Sequence, residues 1–138
     1  MTDMVVEQIS PLPVIEYDLV NGLQSGVLVV DSARRVVVWN SWMAARSGIP
    51  AAEAVGHPLL ELLAPVKGRR FEAALTAAIE QQCSSYLSPV LNLEVLPLFE
   101  SEMEQQQGQR MPLTIRMSPQ QLDSGPGCLL EIHDAGSE

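Results

Sequence analysis

Few residues in this chain could do chemistry. His57 and His133 are the two histidines, and either could ligate a metal or act as a general base near neutral pH. Neither has a Cys, His or Asp at metal-ligand spacing. His57 sits in a Gly56-His57-Pro58 break that suits a turn, so both histidines read as solvated or capping side chains. Cys83 and Cys128 lie far apart in a sequence without secretory signals and read as reduced thiols, not as a disulfide. Cys128 also alternates onto a presumed core side, where a thiol serves as a small hydrophobe. Asp31, Ser41 and His57 supply the residue types of a hydrolase triad, but no Gly-x-Ser-x-Gly elbow surrounds Ser41, which is better explained as the first residue of a helix. No phosphate-cradling glycine loop is present. The expectation is a protein that is not an enzyme, with neither catalytic residues nor a metal site.

Lys67, Arg69 and Arg70 place three positive charges at the start of the longest helical pattern, against its dipole. Two readings stay open: pairing with Glu61 or Glu72 on the surface, or contact with a carboxylate or phosphate. Asn40 is the other polar residue of note. It follows an apolar run and precedes a helical stretch, the position of an N-cap.

The elements that must position these residues follow from periodicity. Ile15, Leu19 and Leu23 recur every four residues over Pro13 to Gln24, a short amphipathic helix. Gly26 to Asp31 and Arg35 to Asn40 are β-branched runs joined at Ser32-Ala33-Arg34, a tight hairpin. Both strands are nearly apolar on both faces, which predicts a central place in a sheet or a covered second face. A helix over Ser41 to Ser47 ends at Gly48, and short helical turns fit Ala51 to Val55 and Leu59 to Leu63. Phe71, Ala74, Leu75, Ala78 and Ile79 follow the i, i+3, i+4, i+7, i+8 rule of a long helix.

Tyr86 to Leu91 reads as a strand, and alternation marks two more through Leu113, Ile115 and Met117 and through Cys128, Leu130 and Ile132. Asp123 to Gly127 is their turn. Glu100 to Arg110, with its glutamines, reads as a mobile loop too polar to order itself. The blocks of strands and helices predict an α+β domain with an antiparallel sheet.

Composition sets the outer bounds. At 138 residues, 46% hydrophobic and 18% charged, the chain fits one globular domain with a core about 15–135. Seventeen acidic against eight basic residues leave a net charge of −9, which disfavours nucleic acid and anionic membrane surfaces. No run approaches the roughly 20 apolar residues that span a bilayer. A cytoplasmic location is expected.

The order and spacing of these segments resemble the PAS family: an aliphatic strand ending in Asp31, a tight turn, a second strand ending in Asn40, then short helices through Gly48 and Val55-Gly56-His57-Pro58-Leu59. Leu129 to Ala135 looks like the family's last strand, which closes on an Asp. Two departures stand out. Arg34 occupies a turn position usually held by Gly, which implies a different hairpin turn, and Glu94 to Arg110 is a longer connection than usual. The resemblance implies a five-stranded antiparallel sheet with short helices and one long helix on one face, plus an N-terminal flanking helix. It also implies a sensory or dimerisation role upstream of a histidine kinase or a diguanylate cyclase. Haem-binding members carry an axial His on the long helix and flavin-binding members a reactive Cys in an Asn-Cys-Arg-like motif. Neither is present, so haem and flavin are not expected and no cofactor is evident.

Two site hypotheses follow. In the first, Met43, Leu60, Leu63, Phe71, Leu75, Ile115, Met117 and Leu130 wall an apolar cavity between helices and sheet, suited to a small aliphatic ligand because aromatic residues make up only 4% of the chain. A filled core is the alternative. In the second, Ile15, Leu19 and Leu23 pack on a second copy or on an outer sheet face at Val37 and Trp39, making a ligand-free homodimer that aligns downstream effector domains.

Overall fold

The computed structural model describes residues 21–88 and 95–135. Most of the expected N-terminal helix, with Ile15 and Leu19, lies outside them, and of its range only residues 21–24 are described, where Gly22 to Gln24 form turn and bend. The strands are β1 (Gly26–Val30), β2 (Val36–Trp39), β3 (Ser85–Leu87), β4 (Leu113–Leu122) and β5 (Gly125–Asp134). The helices are α1 (Ser41–Ser47), α2 (Ala51–Ala54), α3 (Leu59–Leu62), α4 (Arg70–Gln81) and α5 (Glu102–Gln107). All strand pairs are antiparallel, in the order β2-β1-β5-β4-β3. This is the predicted five-stranded α+β architecture.

The β1–β2 hairpin forms as expected, and Asp31 organises it: its Oδ1 accepts from the N–H groups of Ala33 (3.0 Å) and Arg35 (2.9 Å). Arg34 does not impose a turn foreign to glycine. It takes φ 66, the left-handed region that glycine favours, at a cost of about 1–2 kcal/mol for a residue with a Cβ. Its side chain offers compensation, with Nη2 donating to Thr76 Oγ1 on α4 (2.8 Å) and lying 3.7 Å from Glu80.

Of the two expectations for these strands, a central place or a covered second face, the first holds for β1, which is interior, but not for β2, which is an edge strand. Its outer rim is nevertheless engaged, because Val36 N–H donates to His57 O and Gly56 N–H to Val36 O, so the following loop shields the edge. The alternation of β2 is also broken. Val29 opposes Val38 and Val30 opposes Val36, which leaves Val37 as the extra residue of a bulge. Val36 and Trp39 therefore both face the core although three residues apart, while Val38 faces away.

Helix α4 buries the predicted stripe of Phe71, Ala74, Leu75, Ala78 and Ile79 against the core face of the sheet. Strand β3 is shorter than the Tyr86 to Leu91 run, whose end lies beyond the described residues. The β4–β5 hairpin is longer than its composition suggested: Leu122 pairs with Gly125, so Asp123 and Ser124 alone make the turn. The glutamine-rich stretch expected to be a loop contains α5. Glu104 N–H donates to Ser101 Oγ (3.4 Å), the Ser101 hydroxyl donates to Glu104 Oε1 (3.2 Å), and Gly108 at φ 72 ends the helix. A serine N-cap and a glycine terminus thus order a polar segment with only Met103 as an apolar member.

Candidate functional site

Seven of the eight residues expected to wall a cavity meet in one cluster. Met43 of α1, Leu63 after α3, Phe71 and Leu75 of α4, Ile115 and Met117 of β4, and Leu130 of β5 are all fully buried, and Leu60 packs at the cluster's margin. They converge because the helices deliver their apolar stripes to the face of the sheet that carries Leu28, Ile115, Met117 and Leu130. The interior they form is almost wholly aliphatic and thioether, with Phe71, Trp39 and Trp42 as its aromatic members. An interior of this kind would select a ligand by shape and apolar contact.

Several members of this cluster are absent from the sequence-based set. Trp42 closes the end nearest β1, where Gly26 leaves it room: a Cβ on Gly26 would approach Met43 Sδ to 2.7 Å and Trp42 Cε3 to 2.8 Å. Leu96, Leu98 and Met111 come from the long connection and are buried. Leu96 and Leu98 belong to Val95-Leu96-Pro97-Leu98, an apolar run beside the polar stretch.

Asn40 is the buried polar residue among those described, and it does more than cap α1. Its Oδ1 accepts from Met43 N–H (3.2 Å), while its Nδ2 donates to Ser25 O (2.9 Å) at the entry to β1. Next to it, Ser41 is held by Asn21, with Ser41 N–H donating to Asn21 Oδ1 (2.9 Å) and Ser41 Oγ to Asn21 O (2.7 Å). Three hydrogen bonds thereby tie Asn21 and Ser25, on the approach to β1, to Asn40 and Ser41 at the start of α1. Ser41 and Asp31 are thus occupied in structural bonds, and His57 is exposed, as is His133.

The dimer hypothesis is only partly served. Leu23 is 49% exposed and Val37 is half-buried at the bulge. Trp39 is the correction: it is fully buried in the core, and its Nε1 donates to Ile49 O (2.9 Å). The bulge at Val37 rotates it away from the outer face. That face is instead apolar at Val27, Val29, Val38 and Leu129, of which Val29 and Val38 are buried although they stand outside the core cluster.

Cys128 is buried, and desolvation pushes its thiol up to about 11, which disfavours the reactive thiolate; Cys83 is exposed. Among the described residues no group of three or more His, Cys, Asp or Glu could hold a metal ion, and no helix is long and apolar enough to cross a membrane. Arg69 and Arg70 form no ion pair there.

Comparison with known proteins gives a family match, described as PAS fold, over residues 20–111. No curated protein matches the chain. Among solved structures, the PAS domain of nitrogen regulation protein NR(II) from Vibrio parahaemolyticus superposes with a TM-score of 0.65 at 14% identity, covering 88% of this chain and 99% of that one. A sensory box sensor histidine kinase from Vibrio cholerae gives 0.61 at 19% identity, over 88% of this chain and 89% of that one. The PAS domain of an HTR-like protein from Haloarcula marismortui gives 0.62 at 12% identity, over 87% and 88%.

Proposed function

Because the chain belongs to the PAS fold family, we propose that it is a sensory domain of signal transduction, non-catalytic and cytoplasmic, whose interior receives a small aliphatic molecule. The observation that carries this reading is the convergence of Met43, Leu63, Phe71, Leu75, Ile115, Met117 and Leu130 from three helical segments and two strands in one buried cluster. A ligand admitted between α4 and the sheet would act on both layers at once. Displacement of Met117 or Leu130 would shift β4 and β5, and β5 leads directly to Asp134 and the chain's exit towards an effector domain such as a histidine kinase or a diguanylate cyclase. The ligand can shift the equilibrium only by its differential affinity for the two packings.

A second reading, a homodimerisation module without ligand, is supported by the part-exposed apolar residues Val27, Val37 and Leu129 together with exposed Leu23. Native mass spectrometry beside the denatured mass separates the two. A non-covalent adduct on the purified protein supports the sensor. A dimer without adduct, converted to monomer by Leu19→Glu, supports the module, and a bare monomer that gains no thermal stability from medium-chain fatty acids or alcohols counts against both.

A further inference from the structure

The two edges of the sheet are built differently. The rim of β2 is occupied by backbone hydrogen bonds to Gly56 and His57. Strand β3 pairs with β4 through Ser85, Tyr86 and Leu87, and among the described residues no backbone hydrogen bond reaches its other side. An edge strand is a template for another strand.

Each face of β3 opens onto a depression. On the helix side, a cleft of about 340 Å³ is lined by Arg70, Ala73 and Ala74 of α4 with Leu87; the two alanines leave space that a larger side chain would fill. On the outer side, a cleft of about 470 Å³ is lined by Arg116 and Ser118 of β4. Ser85 and Tyr86 border both clefts, and Tyr86 is 60% exposed. Arg70 and Arg116 are exposed, and neither has an ion-pair or hydrogen-bond partner among the described residues, although Glu131 stands opposite Arg116 in the ladder.

Successive side chains of a strand point to opposite faces. A strand laid along β3 would therefore send alternate side chains into the two clefts, and each cleft offers one arginine. On a chain of net charge −9, two guanidinium groups without a partner among the described residues, flanking the edge strand of the sheet, form a local positive field that favours an acidic partner. A second copy of this chain fits poorly, since edge-to-edge pairing would set like charges side by side. We propose that the β3 edge receives an extended acidic segment of another protein by strand addition, with neighbouring carboxylates reaching Arg70 on one face and Arg116 on the other. This inference does not depend on the sensory reading.

The test titrates the isotope-labelled protein with the synthetic peptide acetyl-Thr-Val-Glu-Glu-Val-Thr-amide and reads amide chemical shifts and hydrogen exchange. Strand addition predicts shifts centred on Ser84 to Leu87, slowed exchange of β3 amides, and no response to the peptide carrying Lys-Lys in place of Glu-Glu. Affinity should fall about tenfold or more in Arg70→Glu/Arg116→Glu, as expected for truncated charge pairs at an interface, and the neutral pair Arg70→Gln/Arg116→Gln serves if charge reversal perturbs folding. The proposal is overturned by shifts located elsewhere, by an affinity indifferent to both variant pairs, or by shifts without slowed exchange. Equal shifts with sodium glutamate alone would also overturn it, since they would identify a simple anion site.

Discussion

At the scale of single residues, Asn40 shows how one buried amide can join two events. It satisfies an orphan N–H at the start of α1 and, with its other end, the carbonyl of Ser25. Asn40→Ala removes the cap and strands the Ser25 carbonyl, so unfolding in urea should show a loss of about 1–3 kcal/mol. Asn40→Asp keeps the acceptor but not the donor and should recover part of that loss. The cysteines make a separate, covalent test. Cys83 is exposed, while Cys128 is buried with a thiol raised to about 11. Iodoacetamide applied to the folded protein at neutral pH should add one group, at Cys83, and a second only after denaturation, as read by intact and peptide mass.

At the scale of elements, helix α5 owes its existence to its ends. Ser101 and Glu104 form a reciprocal pair and Gly108 closes the last turn, while no residue of the helix is buried. Ser101→Ala should therefore fray residues 102–107, at a local cost of about 0.5–2 kcal/mol, seen as faster amide exchange confined to that segment with little change in the global transition. The same helix marks where sequence reasoning failed. Its glutamines drew attention to composition, although Ser101-Glu102-Met103-Glu104 carries a capping signal. By contrast, the α4 stripe and the Asn40 cap were legible because each repeats a local rule that tertiary structure did not override. Trp39 was not legible. Strict alternation puts it beside Val37, and only the ladder with β1 reveals that Val37 is an extra residue. Seven of the cavity candidates meet in one buried cluster because amphipathic faces must meet, whereas whether they enclose a ligand depends on volume, which periodicity does not encode.

At the scale of the whole molecule, charges from distant segments meet near the end of β5. Slight desolvation and then the proximity of Asp134 raise the pKa of exposed Glu100, while Arg46 of α1 opposes the shift. Glu104 of α5 adds a smaller push upward, so the cluster unites α1, the long connection, α5 and the exit strand. A carboxyl group whose folded pKa lies above its unfolded value binds protons more tightly in the native state, so stability falls as pH rises through that interval. Glu100→Gln should accordingly raise the melting temperature at neutral pH, and the advantage should shrink in mildly acid buffer where the native carboxyl is already protonated. Calorimetry of both proteins across that range checks the sign.

The pairing of β1 with β5 carries a mechanical consequence. Gly26, at the start of β1, lies opposite Ile132, near the end of β5, so tension applied through the segments that flank the fold acts on the same end of two antiparallel neighbours. The load falls on their hydrogen bonds one pair at a time, as in opening a zip, instead of on the whole ladder in shear. Pulled at those two points, the domain should part at the sheet's centre under modest force, beginning at Gly26 and Ile132 and reaching Val30 and Cys128 last.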